Sequence, residues 1–103
     1  MTLNINSQQL AAIRQLCPQF YVKDLHAFGS VVGERFTERS DVDLLVTFAG
    51  VPMLDFADNY FDFREALERV VARKVDLVVE KSLTNPVLIR SINKSKLPIY
   101  ATA

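Results

Sequence analysis

The chain has 103 residues, the size of one domain, and we interpret residues 1–103 as a single domain. Half of the residues are apolar and 23% are charged, which excludes an intrinsically disordered or collagen-like protein. Twelve Lys and Arg balance twelve Asp and Glu, so the overall charge does not favour nucleic acid as a partner. The only cysteine, Cys17, excludes an internal disulfide and a cysteine-rich zinc site, as is typical of a cytoplasmic protein.

The apolar pattern predicts neither a secretory signal nor a membrane-spanning helix. Residues 1–4 lack the basic and apolar segments of a signal peptide. The longest apolar stretch, residues 44–54, is interrupted by polar, glycine and proline residues and is far shorter than a membrane span of about 20 residues. We therefore expect a cytoplasmic protein that has no membrane partner.

Hydrophobic periodicity predicts alternating helices and strands. A first helix begins with Ser7 as its N-cap and ends near Pro18, and a strand follows over residues 22–29. A second strand spans residues 40–48, where apolar residues alternate with more polar ones. A long amphipathic helix is predicted over residues 54–72, because its apolar residues recur at spacings of three and four.

The remaining sequence continues this pattern. Residues 75–79 alternate as a third strand, and a last helix over residues 85–94 has a proline in its first turn. Three apolar residues of that helix are expected to face inward: Val87, Leu88 and Ile92. A short extended tail follows at residues 98–100. This order of elements predicts an α/β sheet layered with helices, and it leaves open whether the strands are parallel or mixed.

Three aspartates on the two clearest strands are the candidate functional residues. Asp41 and Asp43 lie two residues apart, so their side chains leave the same face of the strand, about 6–7 Å apart at the backbone. Asp76 has the equivalent position on the next strand. Carboxylates at this separation can hold Mg²⁺, whose remaining ligands are water and phosphate oxygens. Solvent-facing residues of a half-covered sheet are the alternative, but aspartate is unfavourable in strands and three of them favour a site.

A Gly-Ser pair precedes these aspartates at a fixed interval. Gly29 and Ser30 form a turn that closes the first predicted strand, and ten residues separate Ser30 from Asp41. Glycine allows the backbone to approach a phosphate closely, and the following N–H groups and the serine hydroxyl can donate to it. Such a pair is common at turns, but beside three aspartates it predicts a phosphate-binding turn next to a two-metal carboxylate cluster.

The combined motif resembles the nucleotidyltransferase superfamily of polymerase-β type. The matching segments are residues 26–30 (His-Ala-Phe-Gly-Ser), 40–46 (Ser-Asp-Val-Asp-Leu-Leu-Val) and 74–78 (Lys-Val-Asp-Leu-Val). The short chain is similar to the minimal nucleotidyltransferase (MNT) group, whose members are often antitoxins encoded beside a HEPN-domain toxin. This resemblance implies the nucleotidyltransferase fold, an α+β arrangement in which a small mixed sheet is layered with helices.

The resemblance also implies an activity and roles for individual residues. Asp41 and Asp43 would hold Mg²⁺ on the phosphates of ATP, while Gly29 and Ser30 bind the nucleotide. Asp76 would share a second Mg²⁺ and help to deprotonate the acceptor. The implied reaction transfers AMP to a hydroxyl, a tyrosine of a partner HEPN-type toxin, and releases pyrophosphate by a two-metal in-line displacement.

One departure from the family pattern keeps alternatives open. Many members carry a small residue and an Arg-Gly pair soon after Gly-Ser, whereas residues 31–35 here are Val-Val-Gly-Glu-Arg. A non-catalytic antitoxin that neutralises its partner by forming a complex is one alternative, and a nucleotidyltransferase with a small-molecule or RNA acceptor is another. We interpret Arg35 and Arg39 as solvated charges, His26 as structural, and Phe61 as a candidate surface for self-association or toxin binding.

Overall fold

The fold is described by a computed structural model that covers residues 2–102. These residues form three α-helices and four strands. In chain order the elements are α1 (Ser7–Leu16), β1 (Val22–Phe28), β2 (Val42–Phe48), α2 (Phe56–Val71), β3 (Val75–Val79), α3 (Pro86–Ser95) and β4 (Leu97–Ala101). The predicted layering of a sheet with helices is confirmed.

The sheet is mixed and has the order β3-β2-β1-β4. Strand β2 pairs in parallel with β3, while β1 pairs antiparallel with both β2 and β4. The end of β1 therefore meets the beginnings of β2 and β3 at one edge of the sheet, the edge that is formed by strand ends and not by an outer strand. This edge carries the Gly-Ser turn and the aspartates, so the topology itself brings the predicted site residues close together.

The two faces of the sheet differ in polarity. On β2, three residues face a hydrophobic core that helices α1 and α2 complete: Val42, Leu44 and Val46. Ile13 of α1 and Phe63 of α2 are fully buried in that core. The opposite face carries Asp43, Leu45 and Thr47 by strand alternation. Leu45 is buried there, and with residues of α3 it lines a small cavity of about 160 Å³.

The first helix begins one residue earlier than predicted. Asn6, not Ser7, is the N-cap, because its Oδ1 accepts a hydrogen bond from the backbone N–H of Gln9 at 2.8 Å. The Gln9 side chain accepts in return from the backbone N–H of Asn6 at 3.1 Å, which completes a capping box. Asparagine and serine cap helices about equally well. The reciprocal hydrogen bonds between Asn6 and Gln9 therefore decide which of the two neighbours is the N-cap.

The last helix and the tail also differ from expectation. Val87 and Leu88 are 71% and 45% exposed, so the prediction that they face inward is wrong, whereas Ile92 is buried as expected. The inward side of α3 passes through Ile89 and Ile92, which line the cavity next to Leu45. The predicted extended tail is a full strand, β4, because its backbone pairs with the side of β1 that faces away from β2. None of the helices in residues 2–102 has the length and apolar sequence needed to cross a membrane.

Candidate active site

Asp43 and Asp76 meet at the edge of the sheet where β2 and β3 begin. Their Cα atoms are register partners across the parallel pair, and adjacent strands lie about 4.8 Å apart. Both side chains leave the face opposite the hydrophobic core, as the sequence predicted. Asp41 lies one residue before the first residue of β2 and is exposed. The structure therefore brings Asp43 and Asp76 together directly, with Asp41 at the solvent-facing end of the group.

Gly29 packs against the carboxyl group of Asp43. It follows β1 directly and has a φ of +72°, a left-handed conformation that favours glycine. A Cβ atom at this position would overlap Oδ2 of Asp43 and would lie 3.3 Å from its Cγ. The glycine is therefore needed to make room for the carboxylate, a reason that the sequence did not reveal. Val32 closes the turn by donating its backbone N–H to the Gly29 carbonyl at 3.0 Å.

The three carboxyl groups act on one another electrostatically. Burial, and then the negative charges of Asp76 and Asp41, together raise the pKa of Asp43 to about 6. Placing a cation among them would offset both the burial and the repulsion, and would favour the ionised form of Asp43. The electrostatics of this edge therefore favour the binding of a cation.

The donor atoms at this edge fit magnesium. Within residues 2–102, no three His, Cys, Asp or Glu side chains already surround one point as a closed set of metal ligands. Mg²⁺ does not need such a set, because it is typically held by one or two carboxylates together with water and substrate phosphates. Asp43 and Asp76 supply two neighbouring carboxylates, so the residues fit an ion that arrives with a nucleotide.

A cleft of about 630 Å³ lies against the Gly-Ser turn. Its walls come from the Gly-Ser turn, the following loop and the end of α3: Gly29, Ser30, Val32, Glu34, Arg35 and Ser95. Because Gly29 both lines the cleft and contacts Asp43, the carboxylate lies beside the cleft wall. The cleft therefore lies against the predicted phosphate-binding turn, with Gly29 between it and Asp43.

The sequence matches a known protein family and several of its members. A family model of the nucleotidyltransferase domain matches residues 8–99. The chain belongs to this nucleotidyltransferase domain family. Protein adenylyltransferase MntA of Thermococcus cleftensis is 37% identical over 79 residues, which are 77% of this chain and 77% of that protein. A candidate protein adenylyltransferase of Methanocaldococcus jannaschii is 36% identical over 76 residues, covering 74% of this chain and 75% of its own length.

Solved structures of the nucleotidyltransferase family have the same fold. A candidate minimal nucleotidyltransferase superposes with a TM-score of 0.73 at 30% identity, covering 88% of this chain and 89% of that chain. A toxin–antitoxin complex with AMP-PNP superposes at 0.69 and 20% identity, over 90% of this chain and 73% of that chain. A tri-AMPylated HEPN toxin of Shewanella oneidensis in complex with its MNT antitoxin gives 0.63 at 18% identity, over 92% and 71%. The last two likenesses show the fold alone.

Family membership establishes the class of enzyme, a nucleotidyltransferase, and confirms the resemblance drawn from the sequence motif. The departure after Gly29-Ser30 remains a particular feature of this chain. In place of the Arg-Gly pair found in many nucleotidyltransferases, Arg35 lines the cleft. It is exposed, as expected for a solvated charge, but its side chain borders the same space as Ser30.

Sequence reasoning missed two residues near the site of this nucleotidyltransferase. Ser95 is the last residue of α3 and lines the same cleft as the Gly-Ser turn, which is distant from it in the sequence. Arg73 follows α2 and bonds to the loop that leads into Asp41. Neither residue belongs to the family motif or to a periodic pattern, so no signal in the sequence pointed to them.

Other residues singled out from the sequence lie away from the carboxylates. Cys17 is fully buried, and burial raises the pKa of its thiol to about 12, which makes it an unreactive core residue. Burial and then the charge of Lys96 lower the pKa of His26. Phe61 is 52% exposed and lines an apolar groove at the opposite end of the sheet, beside Phe48 and Phe56. Its role as an association surface remains a prediction.

Proposed function

We propose that this chain is a Mg²⁺-dependent adenylyltransferase that transfers AMP from ATP to a tyrosine hydroxyl of a HEPN-type toxin, and that it acts as the antitoxin of that partner. The observation that carries the proposal is the juxtaposition of Asp43, Asp76 and Gly29 at one edge of a nucleotidyltransferase sheet. The names of the relatives support the reaction, since they are protein adenylyltransferases. Complexes of antitoxins of the same fold with their toxins support the partner.

The proposed metal ligands are Asp41, Asp43 and Asp76, which would hold two Mg²⁺ ions. The ions would neutralise charge on the reacting phosphate and on the leaving group of an in-line displacement. In that displacement the acceptor oxygen forms a bond to the α-phosphorus of ATP, while the bond between this phosphorus and the bridging oxygen breaks and pyrophosphate leaves. We assign to Asp76 the role of accepting the proton of the hydroxyl.

The proposed nucleotide contacts come from the turn that follows β1. Ser30 lines the cleft, and Gly29 beside it is exposed and places no side chain in the way of a phosphate. Arg35 adds a positive charge to the same cleft. Within residues 2–102 the one ion pair joins Arg69 to Glu65, so Arg35 has no carboxylate partner and is available to a phosphate.

The proposal is tested by label transfer from α-³²P-ATP to a HEPN-type protein encoded beside this chain. We expect Mg²⁺-dependent label on the partner, and its loss when the acceptor tyrosine of the partner is replaced by phenylalanine. The double variant D43N/D76N should transfer no label. The matched control is Asp24→Asn, since Asp24 pairs with Thr47 near the other end of β2. Undiminished transfer by the double variant would show that the catalytic assignment is wrong.

A non-catalytic antitoxin is the second candidate. One observation favours it: the altered sequence of residues 31–35. On this hypothesis the chain protects cells because it forms a complex with the toxin and blocks it without modifying it. Expression of D43N/D76N beside the toxin separates the candidates, because occlusion survives the substitution and catalytic neutralisation does not.

A further inference from the structure

Arg73 bridges two segments that carry the candidate metal ligands. It lies between α2 and β3, three residues before Asp76. Its Nη1 donates to the backbone carbonyl of Thr37 at 2.7 Å and to that of Ser40 at 3.1 Å. Its guanidinium also lies over the ring of Phe36, with Cζ 4.2 Å from the ring centroid. One side chain thus makes three contacts with the loop that leads into Asp41.

The loop is itself folded into a compact turn that ends at the aspartate. The backbone N–H of Ser40 donates to the Thr37 carbonyl at 3.0 Å, and the Ser40 hydroxyl accepts from the backbone N–H of Thr37 at 3.0 Å. These bonds hold the turn together internally, but they do not attach it to the sheet. The guanidinium contacts supply that attachment, because Arg73 belongs to the segment that starts β3.

A backbone bond continues the same connection at the first residue of β2. Val42 donates its N–H to the carbonyl of Lys74 at 3.0 Å, so the two segments are joined immediately after Asp41 as well as before it. Asp41 therefore lies between two attachments to the segment that carries Asp76. The contacts of Arg73 secure the upstream side, where no strand pairing exists.

We propose that Arg73 is a positioning residue that sets the place of Asp41 relative to Asp76. This role rests on the proposed function, since it matters only if these carboxylates bind a cation. Arginine suits the task because its planar, rigid guanidinium can stack on an aromatic ring while it donates to backbone carbonyls. Lysine keeps the charge but has no planar group, so it would restore the contacts only in part.

The variants to test are R73Q, which removes the charge and the stacking, and R73K, which keeps the charge. The matched control is R69Q, because Arg69 lies one turn earlier on α2 and is 73% exposed, paired only with Glu65. Three quantities are measured on each folded full-length chain. The first is amide exchange at Ser40 and Val42 without metal, and the second is the cation concentration for half-saturation, with Mn²⁺ as the probe. The rate of AMP transfer is then followed against Mg²⁺ concentration.

We expect R73Q to speed amide exchange at Ser40 and Val42 and to raise the half-saturating cation concentration about 10-fold, as is typical when a support of a metal ligand is lost. Transfer should recover at saturating Mg²⁺, because Arg73 acts through the ligands and not on the nucleotide. R73K should give a smaller shift and R69Q none. If R73Q does not fold, the smaller shift expected for R73K, measured against R69Q, carries the test.

Half-saturation unchanged from the parent protein in a folded R73Q or R73K variant would overturn the positioning role. A loss of transfer that saturating Mg²⁺ does not recover would also overturn it, because Arg73 would then act on something other than the cation. A parent protein that binds no Mn²⁺ and labels no partner would show that the proposed function is wrong, and the positioning role would fall with it. The behaviour of the parent protein therefore distinguishes the two failures.

Discussion

Asp43 and Asp76 are direct register partners across the parallel strands β2 and β3. The same register pairs Val42 with Val75 and Leu44 with Leu77, and all four of these residues are buried. A slip of one residue would turn the aspartates of one strand into the core and expose its apolar residues. Burial of the apolar partners therefore stabilises the arrangement that holds the two carboxylates side by side.

Removing either carboxylate should abolish AMP transfer without unfolding the chain. We expect Asp43→Asn and Asp76→Asn each to lower the transfer rate about 100-fold or more, since the loss of a support of a metal ligand alone costs 10- to 100-fold. The measurement is the initial rate of label transfer at fixed Mg²⁺ and ATP. Asp24→Asn is the control, and a rate in either variant equal to that of this control would contradict the metal-ligand assignment.

The pKa of Asp43 predicts how its charge affects stability. Its pKa is raised from 3.8 to about 6 in the folded protein, so the folded state binds the proton more tightly than the unfolded state. The ionised carboxylate therefore destabilises the metal-free fold above about pH 6, and this cost disappears as the pH falls to about 4. Asp43→Asn should raise the free energy of unfolding at pH 8 by about 1 kcal/mol, a discounted value because the carboxyl is only half-buried.

Chemical denaturation at pH 8 and at pH 4 checks this expectation. The gain from Asp43→Asn should be present at pH 8 and absent at pH 4. Adding Mg²⁺ and ATP at pH 8 should reverse the order, because ligand binding stabilises only the protein that keeps the carboxylate. An equal gain at both pH values would mean that the asparagine stabilises the fold for a reason unrelated to charge.

The parts of the fold that depend on local pattern were predictable from the sequence. Strand β3 has the predicted bounds, Val75–Val79, because alternation over a short apolar segment is a strong signal. The strand β4 was predicted only as an extended tail, because its pairing with β1 is a contact between distant segments. The exposed positions of Val87 and Leu88 could not be predicted either, since helical spacing alone does not say which apolar side meets the sheet.

In the candidate site, too, features set by local pattern were predictable and features set by contacts between distant segments were not. Asp43 and Asp76 share a face because strand alternation requires it, and that can be inferred without a structure. The packing of Gly29 against Asp43 depends on the antiparallel register of β1 with β2, which cannot be inferred from the sequence. Arg73 reaches its carbonyl partners across more than thirty positions of the chain, so only the folded structure brings it to the loop.

Gly29→Ala should separate backbone strain from damage to the site. Both Gly29 and Gly50 have left-handed backbones, with φ of +72° and +82°, so alanine at either position should cost about 1–2 kcal/mol of stability. A Cβ at Gly29 would overlap the Asp43 carboxyl, whereas one at Gly50 would have nothing within 4 Å. We therefore expect both variants to lose stability and only Gly29→Ala to lose Mg²⁺-dependent AMP transfer. Equal activity in both variants would contradict a role for the close approach.

The charges that line the cleft should tune the affinity for ATP in opposite directions. Arg35 and Glu34 both border the cleft, next to Ser30. Arg35→Ala should raise the KM for Mg²⁺-ATP roughly fivefold, the equivalent of about 1 kcal/mol for an exposed contact to a phosphate. Glu34→Gln should lower the KM, because it removes a negative charge from the neighbourhood of the triphosphate. Both effects should weaken as salt is added.

Arg39→Ala is the matched control for these charges. Arg39 has the same charge and is also exposed, but it lies in the turn before Asp41 and does not line the cleft. Steady-state rates at several ATP concentrations and two ionic strengths give the KM values. Equal changes in KM for Arg35→Ala and Arg39→Ala would show that only the overall charge matters. An increase confined to Arg35→Ala would assign a phosphate contact to Arg35, a role that the motif does not indicate because this chain lacks the Arg-Gly pair.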